Sequence, residues 1–456
     1  MLPRRSYLFA LLALLTTLLV APASGRNAAP RATTPSAVTF VVSGRGWGHG
    51  VGLAQYGALG FAKRGVTYDK ILAHYYRGTQ LGPSAVARVR VLLYEQRPKL
   101  QITSETAFHV QDATGVVQTL AAGTAVVTAG LTVRTKERKR TLAGPLTFLR
   151  GKEPLSLDGN AYRGSLEIGA VGKRLRVINI VGIDKYLYGV ITREMPHDWP
   201  PAALQAQAVA ARSYALANRY SGEFDLYADV RSQVYGGIAA ETETSRAAVD
   251  ATARQVLSYD GKVANTFFFS SSGGRTADVT EVWGTKPIPY LVSVKDPYDT
   301  ASPYHRWGPV AFSAAQAAKA LKIPGLQDLV PDSGPSGRAR IVFADTVLGR
   351  TVVRGSDFRR ALELRSTWVT IGRMVLDRPA GPVAPGTEVQ LSGGVRGLKG
   401  VVLEQRLPAG EWQVGTAVQA ASNGRFALSV NPTQTTEYRL RSGLATGQSV
   451  RLLITP

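Results

Sequence analysis

The sequence predicts an α+β fold: a region rich in both strands and helices, followed by a small immunoglobulin-like β-sandwich. Three observations carry this. From about Ala85 to Ile180, apolar residues alternate in short runs such as Arg88-Val89-Arg90-Val91 and Leu175-Arg176-Val177-Ile178, broken by Gly, Asp-Gly or Asn. Residues 182–310 turn to helical periodicity mixed with strands. Beyond the Pro and Gly cluster at Pro379 to Gly386 the signals are purely β, with a strand roughly every ten residues. Blocks of strand and helix that do not alternate favour α+β over a parallel α/β sheet.

The first residues combine Arg4 and Arg5 with an apolar run from Leu8 to Val20 and then Ala21-Pro22-Ala23, the pattern of a cleaved signal peptide over residues 1–23. An uncleaved anchor is the alternative, although a membrane helix needs about 20 apolar residues and this run is shorter. The arginine pair also admits twin-arginine export without requiring it. Residues 24–37, rich in Ala, Pro, Thr and Ser without periodicity, read as a flexible linker. A main domain over 38–377 and a sandwich over 378–456 suit the length of 456 residues and the apolar fraction of 45%. No later stretch is apolar enough to span a bilayer, so no transmembrane helix is expected in the mature chain.

The main domain opens on a glycine-dense segment, Gly44 to Gly52, which leads into a helical pattern through Gln55 and Tyr56 and then a helix capped at Thr67. Such glycine density, with Trp47 and His49, fits backbone folded tightly on another element or on a ligand. For His49 alone, packing is the better reading. The spacing does not match a dinucleotide fingerprint, and no Lys follows as in a phosphate-binding loop. In the segment Gly182 to Pro196, Asp184 is placed as helix cap and Pro196 as the stop. Asp198 is placed as the cap of the next helix, from Ala202 through Asn218, with Pro200 and Pro201 in its first turn.

Composition excludes several chemistries. Without cysteine there is no disulfide, thiolate nucleophile or cysteine-ligated metal. The five histidines form no H-x-x-x-H or H-E-x-x-H pair, so neither metal nor cofactor is expected. The net charge of +22 calls for an acidic partner or serves solubility. For an exported chain the polyanions within reach are wall polymers and lipid headgroups rather than nucleic acid. The densest basic run, Arg134 to Arg140, reads as a solvated hairpin.

One carboxylate stands out. Leu187, Val190 and Ile191 make the apolar face of their helix, and the i, i+3, i+4, i+7 spacing puts Glu194 on that same face. Burial and the negative end of the helix dipole both favour its protonated form, as a general acid requires. From pattern alone, a half-buried Glu paired with an Arg fits equally well. On the following helix Leu204, Ala208, Ala211 and Ala215 form a packing stripe. Gln207 lies on that stripe, with Arg212 and Tyr214 beside it facing the same cleft. Gln207 either orients a sugar hydroxyl or satisfies a backbone group. The run Thr266 to Gly274 reads as a buried strand ending in a hydroxyl-rich turn, suited to sugar recognition or simply a surface turn. It offers no Gly-x-Ser-x-Gly elbow for a serine hydrolase.

Taken together, the segments Gly44 to Ala58, Tyr162-Arg163-Gly164, Glu194-Met195-Pro196 with Trp199-Pro200, and Ala206 to Tyr214 resemble the SpoIID/LytB family of peptidoglycan lytic transglycosylases and amidase enhancers. So do Gln233 to Gly237, Phe268 to Thr276 and Tyr290 to Val294. The resemblance covers roughly residues 40–372 and leaves the C-terminal sandwich outside. It implies that Glu194 is the catalytic residue, and that Arg212, Gln233, Ser271 and Ser272 line a glycan groove. We place Gln55, His49, Gln207, Tyr214 and Tyr235 with them as substrate-binding residues. Two departures limit the transfer. In sporulation members the Gly-His-Gly motif lies near the end of the domain, whereas here it comes first. Some members also carry zinc ligands where this chain has Asp229-Val230-Arg231-Ser232, so zinc is not expected.

The function expected is that of a secreted or envelope enzyme that cleaves peptidoglycan glycan strands between N-acetylmuramic acid and N-acetylglucosamine. A single Glu would act first as acid and then as base, since no second carboxylate of the kind a hydrolase needs stands out in the motifs. The rival is a non-catalytic protein that binds glycan strands and stimulates an N-acetylmuramoyl-L-alanine amidase. A basic surface adhesin is a third reading. The C-terminal sandwich is expected to bind the wall or to act as a spacer.

Overall fold

The computed structural model describes residues 36–455. The expected signal peptide, and all but the last two residues of the expected linker, lie outside them. Strand outweighs helix, 40% against 19%, and the two segregate, as an α+β fold requires. Among the described residues, no helix is long and apolar enough to cross a membrane.

The alternating runs between Arg88 and Gly182 form two antiparallel sheets whose inner faces share one core, with Leu100, Ile102, Phe108, Phe148, Leu166 and Ile168 inside. The strand Arg174–Gly182 shows the logic: Leu175, Val177 and Val181 point inward, as period-two alternation demands. The basic run closes as a hairpin, Thr132–Arg134 against Lys139–Thr141, with the latter strand fully exposed.

Five helices follow, four of them packed on α4: α1 (Gln55–Ala62), α2 (Tyr68–Tyr75), α3 (Ile183–Glu194), which ends at the carboxylate singled out above, α4 (Pro201–Ala217) and α5 (Glu243–Ala251). The caps differ from expectation. Strand Arg174–Gly182 runs directly into α3, so Gly182 takes the cap position and Asp184 falls in the first turn, where it pairs with Arg212. Pro200 precedes α4 and Pro201 opens it, where a missing N–H costs nothing, which leaves Asp198 outside. The stripe Leu204, Ala208, Ala211 and Ala215 faces the β core as expected. The opposite face, Ala206, Val209 and Ala210, is buried as well, against α1, α2 and Leu257. Alanines make this central position possible, because neighbours close in on every side of α4. The expected strand at Thr266 to Phe269 shrinks to Phe268–Phe269, which pairs in parallel with Leu53–Ala54 just ahead of α1.

The remaining strands link the two ends of the chain. Ala37–Gly44 lies between Trp307–Ser313 and Val369–Leu376, and the same sheet continues through Val389–Arg396 to Arg425–Val430. Both faces of the first strand are covered. Phe40 and Val42 pack with Leu329, Val342 and Phe358, while Ala37 and Val41 pack with Leu403, Tyr438 and Leu440 of the last sheet. Full burial of Phe40 alone stabilises by about 1.5–3 kcal/mol. The strands beyond residue 378 fall into two sheets, one of which also contains Ala37–Gly44, Trp307–Ser313 and Val369–Leu376 from before the expected boundary at 378.

Candidate active site

Glu194 ends α3, and its surroundings are set by close packing. Gly189 on α3 leaves room for the segment Tyr235 to Gly237, since a Cβ there would lie 2.7 Å from the Gly237 carbonyl and 3.0 Å from the Tyr235 ring. That contact brings Gln233 and Val234 to the end of α3. From another direction, α1 delivers Gln55, whose Nε2 donates to the Glu194 carbonyl at 2.9 Å and lies 3.5 Å from Gln207 Oε1. Tyr186, two turns before Glu194, donates its hydroxyl to Gln233 Oε1 at 3.4 Å.

The carboxyl of Glu194 is half-buried, and burial pushes its pKa up from the usual carboxylate range, while the Val234 N–H pulls the other way. No charged group contributes to that shift, and among the described ion pairs Glu194 has none. The alternative of a Glu held by an Arg is thus not what the structure shows. The Glu194 charge in turn opposes ionisation of Tyr186 and Tyr214, which places both phenols near it. Gln207 and Gln233 are buried, and each has an Nε2 without a partner among the described residues. Unpaired buried donors of this kind are rare, and here they lie beside a carboxyl kept free of ion pairs. The arrangement favours the protonated form of the carboxyl relative to a solvated glutamate and offers neutral donors around it.

Glu194, Gln55, Gln207, Gln233 and Tyr214 therefore gather in one place. The other residues singled out from sequence do not. Arg212 is fully buried, bound to Asp184 at 2.8 Å and to the carbonyls of Gln255 and Val249. Asp184 precedes Glu194 by ten residues of helix, roughly 15 Å, so Arg212 faces the wrong end of α3 for the cleft. Tyr235 is buried behind Tyr186, its hydroxyl donating to Asn179. Ser271 and Ser272 are fully buried; the Ser271 hydroxyl and the Ser272 N–H both donate to Asp299. His49 accepts from the Val51 N–H through Nδ1 and bonds the Phe268 carbonyl through Nε2. Burial and the nearby Arg338 lower its pKa to about 4, so it is a neutral peg in the packing. Sequence reasoning missed Tyr186, although a position two turns before Glu194 on one helix could have signalled it. It also missed the buried Asp296, whose pKa burial and Asp299 raise to about 7.

The candidate site is thus a half-buried glutamate without an ion-pair partner among the described residues, with amides and phenols close by. Residues 171–259 match the family model described as SpoIID, Stage II sporulation protein. Through that region the chain is similar to the SpoIID/LytB family. It is similar to the amidase enhancer of Bacillus subtilis (strain 168), 38% identical over 147 residues covering 32% of this chain and 20% of that protein. It is also similar to the Stage II sporulation protein D of the same organism, 30% identical over 208 residues covering 41% of this chain and 59% of the relative. An uncharacterized protein of Brachyspira hyodysenteriae is 38% identical over 147 residues, 31% of this chain and 40% of its own. The chain thus spans between a fifth and three fifths of the length of these relatives. No solved structure matches.

Proposed function

We propose that this protein is an exported lytic transglycosylase that cleaves the bond between N-acetylmuramic acid and N-acetylglucosamine in peptidoglycan strands. The observation that carries this reading is the half-buried Glu194, free of ion pairs and with a raised pKa. Its protonated carboxyl donates to the glycosidic oxygen as the bond to C1 of the muramic residue breaks. The resulting carboxylate then takes the proton of the C6 hydroxyl as that oxygen bonds to C1, which restores the acid. One carboxyl serves both steps, so no water-activating partner is required. Gln207 and Gln233 supply amide donors for sugar hydroxyls or N-acetyl groups, and Gln55 fixes the end of α3. The net charge of +22 favours residence on an anionic wall. The C-terminal segment, which holds no comparable carboxyl site, binds the wall or spaces the domain from it.

A second reading is supported by the likeness to a protein named amidase enhancer: the chain binds glycan strands and stimulates a separate amidase. Wild type and Glu194→Gln, assayed on purified strands with and without stem peptides and in the absence of any amidase, test the two. Loss of strand cleavage in a folded Glu194→Gln variant supports the enzyme. Cleavage absent from both proteins, with stimulation of an added amidase retained in both, supports the enhancer.

A further inference from the structure

The glycine-dense segment does more than pack. Gly46 and Gly48 take φ of +71° and +113°, and a Cβ on Gly46 would lie 2.5 Å from the Ser271 carbonyl, so only glycine fits there. The successive N–H groups of Gly46, Trp47 and Gly48 donate to the carbonyls of Tyr304, Ser271 and Arg365, three separate segments. A loop pinned in three directions nevertheless leaves Trp47 38% exposed. Its neighbour is Tyr304, edge-on at 4.5 Å, and the exposed Arg365 guanidinium lies 4.3 Å from the Tyr304 ring and 5.1 Å from the Trp47 ring. Arg365 has no carboxylate partner among the described ion pairs.

This pair connects to the carboxyl site. Tyr56 follows Gln55 on α1 and meets Trp199, just beyond α3, with ring centroids 4.9 Å apart. Helix α1 lies directly on the segment that leads to Tyr304, since a Cβ on Gly60 would come within 2.1 Å of the Tyr298 carbonyl. Tyr304 is also close enough to oppose ionisation of Tyr56. Large aromatic rings left part-exposed on rigid backbone are not what core packing produces. The C–H faces of pyranose rings are apolar and meet the electron-rich faces of such side chains well.

The geometry points to a strand-binding surface on which Trp199, Tyr56, Tyr304 and Trp47 stack successive pyranose units leading away from Glu194, with Arg365 pairing a carboxylate borne by the strand. It rests on the glycan reading of Glu194, but it concerns binding and is tested separately. In the full-length chain, Trp47→Ala and Tyr304→Ala weaken binding to long muramic-acid-containing strands by about tenfold each, the scale of one lost stacking contact. Trp47→Phe retains most of it. Cleavage of the shortest cleavable oligosaccharide is unchanged in all three. Arg365→Gln weakens binding to strands that carry carboxylates and leaves binding to N-acetylglucosamine homopolymers as in wild type. Wild-type affinity for long strands in folded Trp47→Ala and Tyr304→Ala variants overturns the proposal. If instead Glu194→Gln still cleaves while Trp47→Ala loses binding, the catalytic role of Glu194 fails and the surface stands.

Discussion

The side-chain amide of Gln55 donates to the backbone carbonyl of Glu194 at 2.9 Å, tying the first residue of α1 to the last residue of α3. That carbonyl, at the last position of α3, has no acceptor role within its own helix, and Gln55 satisfies it. The bond therefore both caps α3 and fixes the backbone from which the carboxyl projects. Gln55→Ala is expected to lower kcat by about tenfold or more, with KM little changed, because small misplacements of an acid are costly. The expected stability loss is about 1 kcal/mol. Steady-state kinetics alongside denaturant unfolding separate the two effects, and an unchanged kcat would leave Gln55 a cap only.

Arg212 yields the opposite pattern. Its guanidinium is buried and spent on Asp184 and two carbonyls, so Arg212→Ala strands those acceptors and opens a cavity. The expected loss of stability is about 3 kcal/mol, and Arg212→Lys, lacking the fork, recovers little of it. At a temperature where the variant is folded, KM for glycan should match wild type. A raised KM in a stable Arg212 variant would return this residue to the substrate site.

Gly57 is a test of packing rather than chemistry. A Cβ there would lie 2.0 Å from the Tyr75 hydroxyl and 2.3 Å from Asp296 Oδ2, both buried. Alanine favours a helix by about 1 kcal/mol over glycine, yet overpacking costs about 1–3 kcal/mol. Gly57→Ala is therefore expected to lower the melting temperature. A rise would mean that Tyr75 and Asp296 have room to yield.

The raised pKa of Glu194 has a stability consequence with a definite sign. The folded state holds this proton to higher pH than the unfolded chain, so below the ordinary glutamate value of 4.5 the group costs nothing, and as pH rises above it the folded state is penalised. Glu194→Gln removes the penalty. The variant should match wild type in stability near pH 4 and exceed it increasingly toward neutrality. Asp296, raised to about 7, adds a decline of the same sign between its unfolded value and about pH 7, which Asp296→Asn should flatten. Unfolding curves across pH check both, and a Glu194→Gln advantage that grows on acidification would contradict the burial assigned to Glu194.

The legibility of the sequence followed the range of the interactions involved. Alternation marked the strands from Arg88 to Gly182, and the 3.6-residue period placed Glu194 on the buried side of α3, because both signals are local. Arg212 was misplaced because a polar residue next to a packing stripe looks the same whether it meets a ligand or a half-buried aspartate 28 residues back in the chain. The shared sheet was invisible for a similar reason: Ala37–Gly44 reads as an ordinary strand, and only the fold shows it beside Val369–Leu376. The aromatic row draws on Tyr56, Trp199, Tyr304 and Trp47, residues with no common periodicity.

The most direct test of the account is the mass of the products released from purified glycan strands by the wild-type chain. A single carboxyl acting as acid and then base predicts muramic ends in the 1,6-anhydro form, one water lighter than hydrolytic ends, and their absence with Glu194→Gln. Release of ordinary reducing ends alone, or anhydro ends undiminished in the folded Glu194→Gln variant, would contradict it.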